Sequence, residues 1–591
     1  MSKGPGSVRD RLQRADQLVS QGKFEEALQT VEALASAEEL SPEDRLAGQL
    51  LKSRIRTKQG DFEEALQLAQ DVFTEIQGQE PSLQTVDAHI AIAEALECLG
   101  NFEESLEAIS QGDQALAIAS KESPAEIARR KGHLEYSKGR NYWKKGDLEP
   151  AMIALEQSLT LRKELGKKQE MAWSLHSIGN IYVAKGELNQ ALEYYQQSLA
   201  LRKEFENLQD IASSLNNIGS VYLLKGELTH GLEYLQQSLT IDQEIGNPQD
   251  IAVALMNIGA VYRLKGELTQ ALEYCQQALT LFKEIGNQQD IAMNLTNIGG
   301  VYRLKGELTQ ALEYCQQALT LFKELGNQQD IAMVLGNIGI TYRMQGELEA
   351  AVSHLEQSLS IFDKIGHNLW VAACLFELVC VTLEIGARDQ AQEYLRRLHQ
   401  IHDQDDNKII SQGYRVAKGL VLKSSSRARD RVAAQELLED VVDEEVVNHE
   451  ITVQAMLHLC ELLLDELKAY GDQAVFREAQ ALINKIYTLA QQQLSFTLVV
   501  DALILKSKFA LIAGNLAKAS QFLDQARLTA DEKDLGSLAT KVATERQRLT
   551  DQYDTWQRLI QTNAPFSERL EQARLTEYIQ AAQRAVNIAQ G

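Results

Sequence analysis

Proline is nearly absent. Seven residues in 591, at positions 5, 42, 81, 124, 150, 248 and 565, leave long stretches in which no ring interrupts a backbone hydrogen-bond ladder. Cysteine is also sparse. The six at 98, 275, 315, 374, 380 and 460 sit mostly inside apolar helical patterns and form no paired framework, which argues against a disulfide-stapled scaffold and for a reducing, cytoplasmic setting. Basic residues are the minority charge, 59 Lys and Arg against 83 Asp and Glu, for a net charge of −24. Neutralising phosphates needs a basic face, so nucleic acid is not the expected partner. No apolar run approaches the roughly 18 residues of a membrane span, so no membrane partner is expected. The opening MSKGPGSVRDRLQRADQL has no apolar signal-peptide core. No glycine-rich phosphate cradle follows a strand, the Cys374–Cys380 spacing is not that of a zinc knuckle, and no Ser–His–acid or Cys–His set can be assembled. His399 and His402, ahead of Asp403, Asp405 and Asp406, read as a helix end with a solvated acidic loop rather than a metal site. No catalytic residue, metal or cofactor is therefore assigned, and the expectation is a protein that is not an enzyme.

What the chain does have is helix former and repetition. Hydrophobic residues make up 44%, and alanine, leucine, glutamine and glutamate abound, a balance that favours helix. Residues 251–290 and 291–330 differ at only five of forty positions: Val253/Met293, Ala254/Asn294, Met256/Thr296, Ala260/Gly300 and Ile285/Leu325. A unit copied this closely is a stackable module, and in such an array each unit touches only its neighbours. Within the unit, Leu255, Ile258, Gly259 and Tyr262 follow i, i+3, i+4, i+7 and share one helix face. Gly266 interrupts. A second stripe runs Leu268, Ala271, Leu272, Cys275, Ala278, Leu279, Phe282, which makes Cys275 and its copy Cys315 core residues. Gly286 and Asn287 can cap that helix, and Asp250, or Asn247 with Pro248, can open the next. The unit is a helical hairpin.

A mid-helix glycine such as Gly259 costs roughly 1 kcal/mol against alanine. Its recurrence at 139, 179, 219, 259, 299 and 339 predicts close helix approach, with a bulky side chain of the partner helix in the vacated space. Tyrosine recurs three residues later, a turn glycine at 146, 186, 226, 266, 306, 346 and 386, and alanine at 151, 191, 271, 311, 351 and 391, with Gly231 in the remaining slot.

Leu-x-x-Ile-Gly-x-x-Tyr, then Gly, then Ala, resembles the tetratricopeptide repeat, in a unit of 40 residues where the common one has about 34. The longer unit is similar to those of kinesin light chains and of the spindle-orientation adaptors that carry GoLoco motifs, at the level of the repeat. The resemblance implies an all-α fold, a right-handed superhelical solenoid of stacked antiparallel helix hairpins, about ten to twelve in number.

By regularity the chain divides into three parts. Residues 1–121 hold degenerate hairpins around Gly22, Gly60 and Gly100; 122–402 hold the regular array; 403–591 hold degenerate helical repeats and capping helices. The segment 111–126 absorbs extra residues as a longer helix and loop. HDQDDNK (402–408) is a polar connector, 513–531 is a further hairpin with Gly514, Ala519 and Ala526 in the repeat's places, and the last sixty residues are amphipathic helices divided near Pro565.

In a stack of hairpins the first helix of each lines the concave side. Opposite the core face of 251–264 lies a second stripe, Val253, Met256, Asn257, Ala260, Arg263 and Leu264. Three of the five twin differences fall on it: Val253/Met293, Met256/Thr296 and Ala260/Gly300; Gly336 and Ile340 differ again in the next copy. Drift of exposed sites and tuning of a groove both produce this pattern. Two positions stay constant there: Asn217, Asn257, Asn297 and Asn337, and Arg263, Arg303 and Arg343. A carboxamide offers donors and an acceptor to the backbone of an extended peptide, and a guanidinium fork suits carboxylates. In the long-unit families this chain resembles, asparagines at the equivalent place hold the ligand's main chain, and the resemblance implies that role for these four; Ser177 and Glu377 depart from the pattern. The competing structural roles are bonding of the asparagines to a neighbouring helix and pairing of the arginines with glutamates such as Glu267. Trp143 and Trp173, with Tyr136 and Phe376, are candidate apolar anchors. The acidic run at 436–445 is a solvated helix face or, alternatively, a plug on the arginine ladder.

The expected function is a non-catalytic scaffold or adaptor that holds a protein or peptide segment bearing acidic residues. Nothing in the repeat dictates an oligomeric state. A peptide-responsive regulatory switch and a structural subunit of a larger assembly are the two other classes the architecture serves.

Overall fold

The computed structural model describes residues 7–20, 23–35, 40–119, 122–405, 407–444, 446, 448–493, 495–533 and 535–586. Gly22, Asp406 and Glu445 of the sequence motifs lie outside these. The described residues form thirty helices and no strand. By compactness the chain divides into two units, Met1–Lys225 with Glu233–Gly246, and Gly226–Leu232 with Asn247–Gly591. This division falls inside the regular array, not at the ends of it that sequence regularity marks.

In the first unit lie α1 (Val8–Ser20), α2 (Phe24–Ala35), α3 (Pro42–Gln59), α4 (Phe62–Ile76), α5 (Leu83–Cys98), α6 (Phe102–Ile118), α7 (Pro124–Lys145), α8 (Leu148–Glu164), α9 (Lys168–Ala184), α10 (Leu188–Glu204), α11 (Leu208–Leu224) and most of α12 (Leu228–Ile245). The second holds α13 (Pro248–Leu264), α14 (Leu268–Ile285), α15 (Gln288–Lys305), α16 (Leu308–Leu325), α17 (Gln328–Gln345), α18 (Leu348–Ile365), α19 (Asn368–Ile385), α20 (Arg388–His402), α21 (Lys408–Lys423), α22 (Ala428–Asp443), α23 (His449–Tyr470), α24 (Gln473–Gln492), α25 (Phe496–Ile512), α26 (Leu516–Glu532), α27 (Gly536–Asp551), α28 (Tyr553–Gln561), α29 (Phe566–Ala573) and α30 (Leu575–Ala585). Helices α1 to α26 alternate as thirteen hairpins, one more than the upper end of the ten to twelve expected. The extra residues between Gly100 and Gly146 go into α7, which has 22 residues, while α6 has 17.

Each hairpin is set by local chemistry. The turn glycine at 306 has φ +77°, a left-handed conformation that costs other residues energy. Asn287 opens α15: its side chain accepts the Asp290 backbone N–H at 3.2 Å and its amide donates to the Asp290 carboxylate at 2.8 Å. The equivalent residues before α13 are Asn247 as cap, Pro248 in the first turn and Asp250 as the carboxylate that receives the Asn247 amide.

The mid-helix glycines do allow close approach. A Cβ at Gly299 would lie 2.7 Å from Cys315 Sγ and 3.1 Å from the Ala311 carbonyl oxygen. The space is filled by Leu155 opposite Gly139, Tyr195 opposite Gly179 and Leu355 opposite Gly339. The partner is bulky in those copies and a cysteine in the twins. Cys275 and Cys315 are buried, with Phe282 and Phe322 beyond them on the same stripes; full burial of one such side chain contributes about 1.5–3 kcal/mol.

The downstream third does more than cap an end. Phe496 packs beside Gly266, Ser537 beside Gly306, and Lys533 pairs with Glu267 at 3.5 Å, so the first turns of α25 and α27 rest on the turns of the twin hairpins. Helices α29 and α30 pack on α23 and α25: Leu575, Ile579 and Ala582 are buried, Phe566 stacks on Phe476, and the Gln454 amide donates to the Gln583 carbonyl at 2.6 Å. The hairpin at 513–531 forms with Gly514 at its turn and Ala519 and Ala526 buried.

One sequence expectation needs correcting. Helix α19 is 18 residues long with a mean hydropathy of 1.8, so a helix long and apolar enough to cross a membrane does exist by length and composition. It packs against α18, α20 and α21, and Val371, Leu375, Leu378, Val379 and Val381 are buried. A helix covered on all sides loses the polar stripe that a half-exposed one keeps.

Candidate functional site

Along each first helix of the regular array, one face meets the partner helix and the other carries the second stripe. On α15 the residues left at least partly open at the stripe are Met293, Thr296, Asn297, Gly300 and Leu304, at helical spacing. The arginines of this stripe on α13, α15 and α17 face carboxylates from elsewhere in the second unit. Arg263 and Arg303 lie within electrostatic reach of Glu450 on α23, and Arg343 acts on His458 of α23. These arginines of α13, α15 and α17 therefore lie close enough to α23 to act on its charged groups.

The four asparagines differ in their surroundings. In the first unit, Asn217 Nδ2 lies 3.0 Å from His176 Nε2. Burial, and then Arg202 and Arg140, push His176 down to about 3, so its neutral ring accepts the amide's hydrogen. In the second unit Asn257, Asn297 and Asn337 are half-buried. The carboxamides of Asn297 and Asn337 make no hydrogen bond to any described residue.

The three arginines differ more. Arg343 is 7% exposed and donates from Nη1 to Glu377 at 2.8 Å and from Nε and Nη2 to Glu384 at 2.9 and 2.5 Å. Burial pushes its pKa down, but these carboxylates outweigh it and carry the pKa up. Arg303 is 6% exposed and its guanidinium makes no hydrogen bond or ion pair with a described residue. Burial, then the neighbouring Arg263, hold its pKa below the usual value. Arg263 is half-buried and likewise held down by burial, and its Nε is sealed without a partner. Glu267, the expected competitor for these arginines, pairs with Lys265 and Lys533 instead.

The variable positions divide. Met293 is exposed, Val253 and Thr296 are half-buried, and the Thr296 hydroxyl donates to the Ala292 carbonyl at 3.0 Å. Met256, expected on the open stripe, is 6% exposed; its long side chain is taken into packing where Thr296 in the twin stays partly open. Asn294, the replacement for Ala254, donates to the Cys275 carbonyl at 2.6 Å, so that difference is a buried hydrogen bond and not a groove change. Ile340 is buried, and so is Phe376, which is a core residue and not an anchor. Trp143 packs on the Ala151–Leu155 core. Trp173 and Tyr136 flank the buried Arg162, 5.9 and 4.5 Å from its guanidinium carbon.

Glu377, Glu384 and Glu450 complete the site and carry no assigned role in the sequence reading. A signal for the first was present: the asparagine ladder breaks to glutamate at 377, 34 residues after the last arginine. The acidic run on α22 does not plug the ladder. Glu436, Glu439 and Asp440 are exposed, and Glu444 pairs with Arg415. His399 and His402 stack on Tyr414 at 4.9 and 4.8 Å, and no group of metal-ligating side chains occurs among the described residues. All six cysteines are free thiols.

A family model described as the MalT-like TPR region matches residues 205–340 and 251–533, together more than half of the chain. Two further models, each described as a tetratricopeptide repeat, match 132–204 and 12–81. No curated relative matches the sequence. Among solved structures, a Rap protein complexed with competence and sporulation factor is 14% identical over 63% of this chain and 100% of its own, with a TM-score of 0.47. Aspartyl phosphate phosphatase F from Bacillus subtilis is 13% identical over 62% and 96%, with a TM-score of 0.42. The quorum sensor NprR from B. thuringiensis in its apo form is 16% identical over 61% and 100%, with a TM-score of 0.44.

Proposed function

Because the chain belongs to the tetratricopeptide-repeat family, with a MalT-like TPR region through its middle, we propose that it is a non-catalytic protein-interaction scaffold that holds a peptide segment of a partner against the first helices α13, α15 and α17. The observation that carries this reading is the pair of half-buried carboxamides, Asn297 and Asn337, with no hydrogen bond to any described residue. A half-buried amide without a partner loses part of its hydration and recovers nothing, whereas an extended peptide presents N–H and C=O groups that satisfy it. Two such amides one repeat apart grip a main chain without reading its sequence. Selectivity then falls to Val253, Met293, Thr296 and the arginines. The free thiols fit a reducing compartment such as the cytoplasm.

A regulatory reading has its own support. Helices α29 and α30 already lie against α23 and α25, so the downstream first helices hold an intrachain segment, and a partner that competes for them would change the shape of the second unit.

Affinity capture that compares the native protein with Asn297→Ala/Asn337→Ala tests the scaffold reading. Selective loss of one prey, with unchanged thermal stability, is the expected result. An unchanged prey set rejects it.

A further inference from the structure

The repeat supplies its own control for what its arginines bind. Glu377 and Glu384, the two carboxylates on Arg343, follow it by 34 and 41 residues. The same offsets lead from Arg303 to Asn337 and Met344, and from Arg263 to Asn297 and Leu304. One arginine of three is thus neutralised from within the chain, and for the other two the sequence places an amide and an apolar residue at the corresponding positions. Arg303 is nonetheless as buried as Arg343. Guanidinium stays protonated under these conditions, so burial does not discharge it, and Glu377 and Glu450 act on it from beyond hydrogen-bonding distance. A buried cation without a bonded counter-charge is unfavourable unless an anion arrives. The Arg263 side chain lies over Gly300, where an added Cβ would touch its Cδ at 3.7 Å, and this is one of the five places where the twin repeats differ.

We propose that Arg263 and Arg303 form two oxyanion sites, one repeat apart, in which carboxylates of an acidic partner segment take the place that Glu377 and Glu384 occupy on Arg343. The proposal rests on the groove reading above and names its chemistry. Packed helices lie about 10 Å apart and an extended chain advances about 3.3 Å per residue, so the segment carries acidic residues about three positions apart. Asn297 and Asn337 hold the main chain between them.

The test uses the full chain. Asn297→Glu/Asn337→Glu installs beside each free arginine the carboxylate that Glu377 gives Arg343, so it neutralises the sites without removing a buried charge. The probes are sulfate against chloride at matched ionic strength, read by thermal denaturation, and acetyl-Asp-Ala-Ala-Asp-amide against its diasparagine analogue, read by calorimetry. The native protein is expected to gain midpoint temperature in sulfate and to prefer the acidic tetrapeptide by about tenfold or more. The double variant is expected to melt no lower than the native protein and to lose both responses. Glu377→Asn/Glu384→Met frees Arg343 and is expected to enlarge the sulfate response. Equal responses in the native protein and the double variant, or none in the native protein, overturn the proposal; so does no gain on freeing Arg343. A sulfate response that the double variant abolishes, with no tetrapeptide binding, upholds the oxyanion sites and removes the peptide reading. Tetrapeptide binding by the native protein with no preference for the acidic form over the diasparagine analogue overturns the sites and leaves the groove reading standing; binding that survives the double variant, which lacks both amides, overturns both.

Discussion

At the residue scale the regular array is governed by a few positions where one atom decides. Gly299→Ala sets two effects against each other. Alanine gains roughly 1 kcal/mol of helix propensity, but its Cβ meets Cys315 Sγ at 2.7 Å and the Ala311 carbonyl at 3.1 Å, and overpacking costs about 1–3 kcal/mol. The carbonyl belongs to the backbone and cannot swing away, so overpacking wins. Urea denaturation is expected to show a net loss of up to about 2 kcal/mol, partly restored by Cys315→Ala; a more stable single variant would refute the packing argument. His458 provides a second case. Burial, and then Lys423, push it down to about 4 although Glu461 pulls the other way. Its folded pKa lies below the unfolded value, so its contribution is complete above about pH 6.5 and is lost as pH falls towards 4. Between pH 7 and pH 5 the second unit should lose about 2 kcal/mol from this group, and His458→Gln should lose correspondingly less when urea midpoints are compared at the two pH values. The glycine was legible in the sequence because it recurs every forty residues. The histidine was not, because nothing periodic announces its burial or the approach of Lys423 from α21.

At the element scale, hydrophobic period and punctuation explain the helices, and burial on more than one face explains the exception. The stripes of α13 and α14 could be read directly from Leu255 to Tyr262 and from Leu268 to Phe282. In α19 the period disappears because Cys374, Phe376, Val379 and Cys380 are all buried while pointing in different directions, and amphipathic logic has nothing to hold. This gives a chemical test of whether α19 is a core helix. Burial raises Cys374 to about 11 and Cys380 to about 12, and the thiolate is the reacting form. Under native conditions a maleimide should label the half-buried Cys98 ahead of Cys374 and Cys380, with the latter two reacting only once urea unfolds the second unit. Rapid native labelling of Cys374 or Cys380, read by peptide mass analysis, would contradict the packing described.

At the scale of the molecule, the sequence reveals stacking but not folding back. A forty-residue period specifies which hairpin follows which, since each unit contacts its neighbours. It says nothing about contacts between residues more than a hundred positions apart, such as Gln454 with Gln583 or Lys533 with Glu267. Those depend on side chains in the aperiodic third. The same limit explains the site: the amide and arginine ladders were visible as repeats, while Glu450, which faces two of the arginines, could be found only in three dimensions. Ile579 is fully buried where α30 meets the rest of the second unit. Ile579→Asp should therefore cost at least about 3 kcal/mol in urea denaturation, and a neutral result would mean that α30 is not part of the fold's support. The central claim is that the open stripe of the first helices meets the partner. A photo-crosslinking amino acid at 293, on the stripe of α15, against one at the exposed position 280 on the second helix α14, tests it most directly. The account predicts a partner cross-linked from 293 and lost in Asn297→Ala/Asn337→Ala, with none from 280; a partner captured from 280 and not from 293 would contradict it.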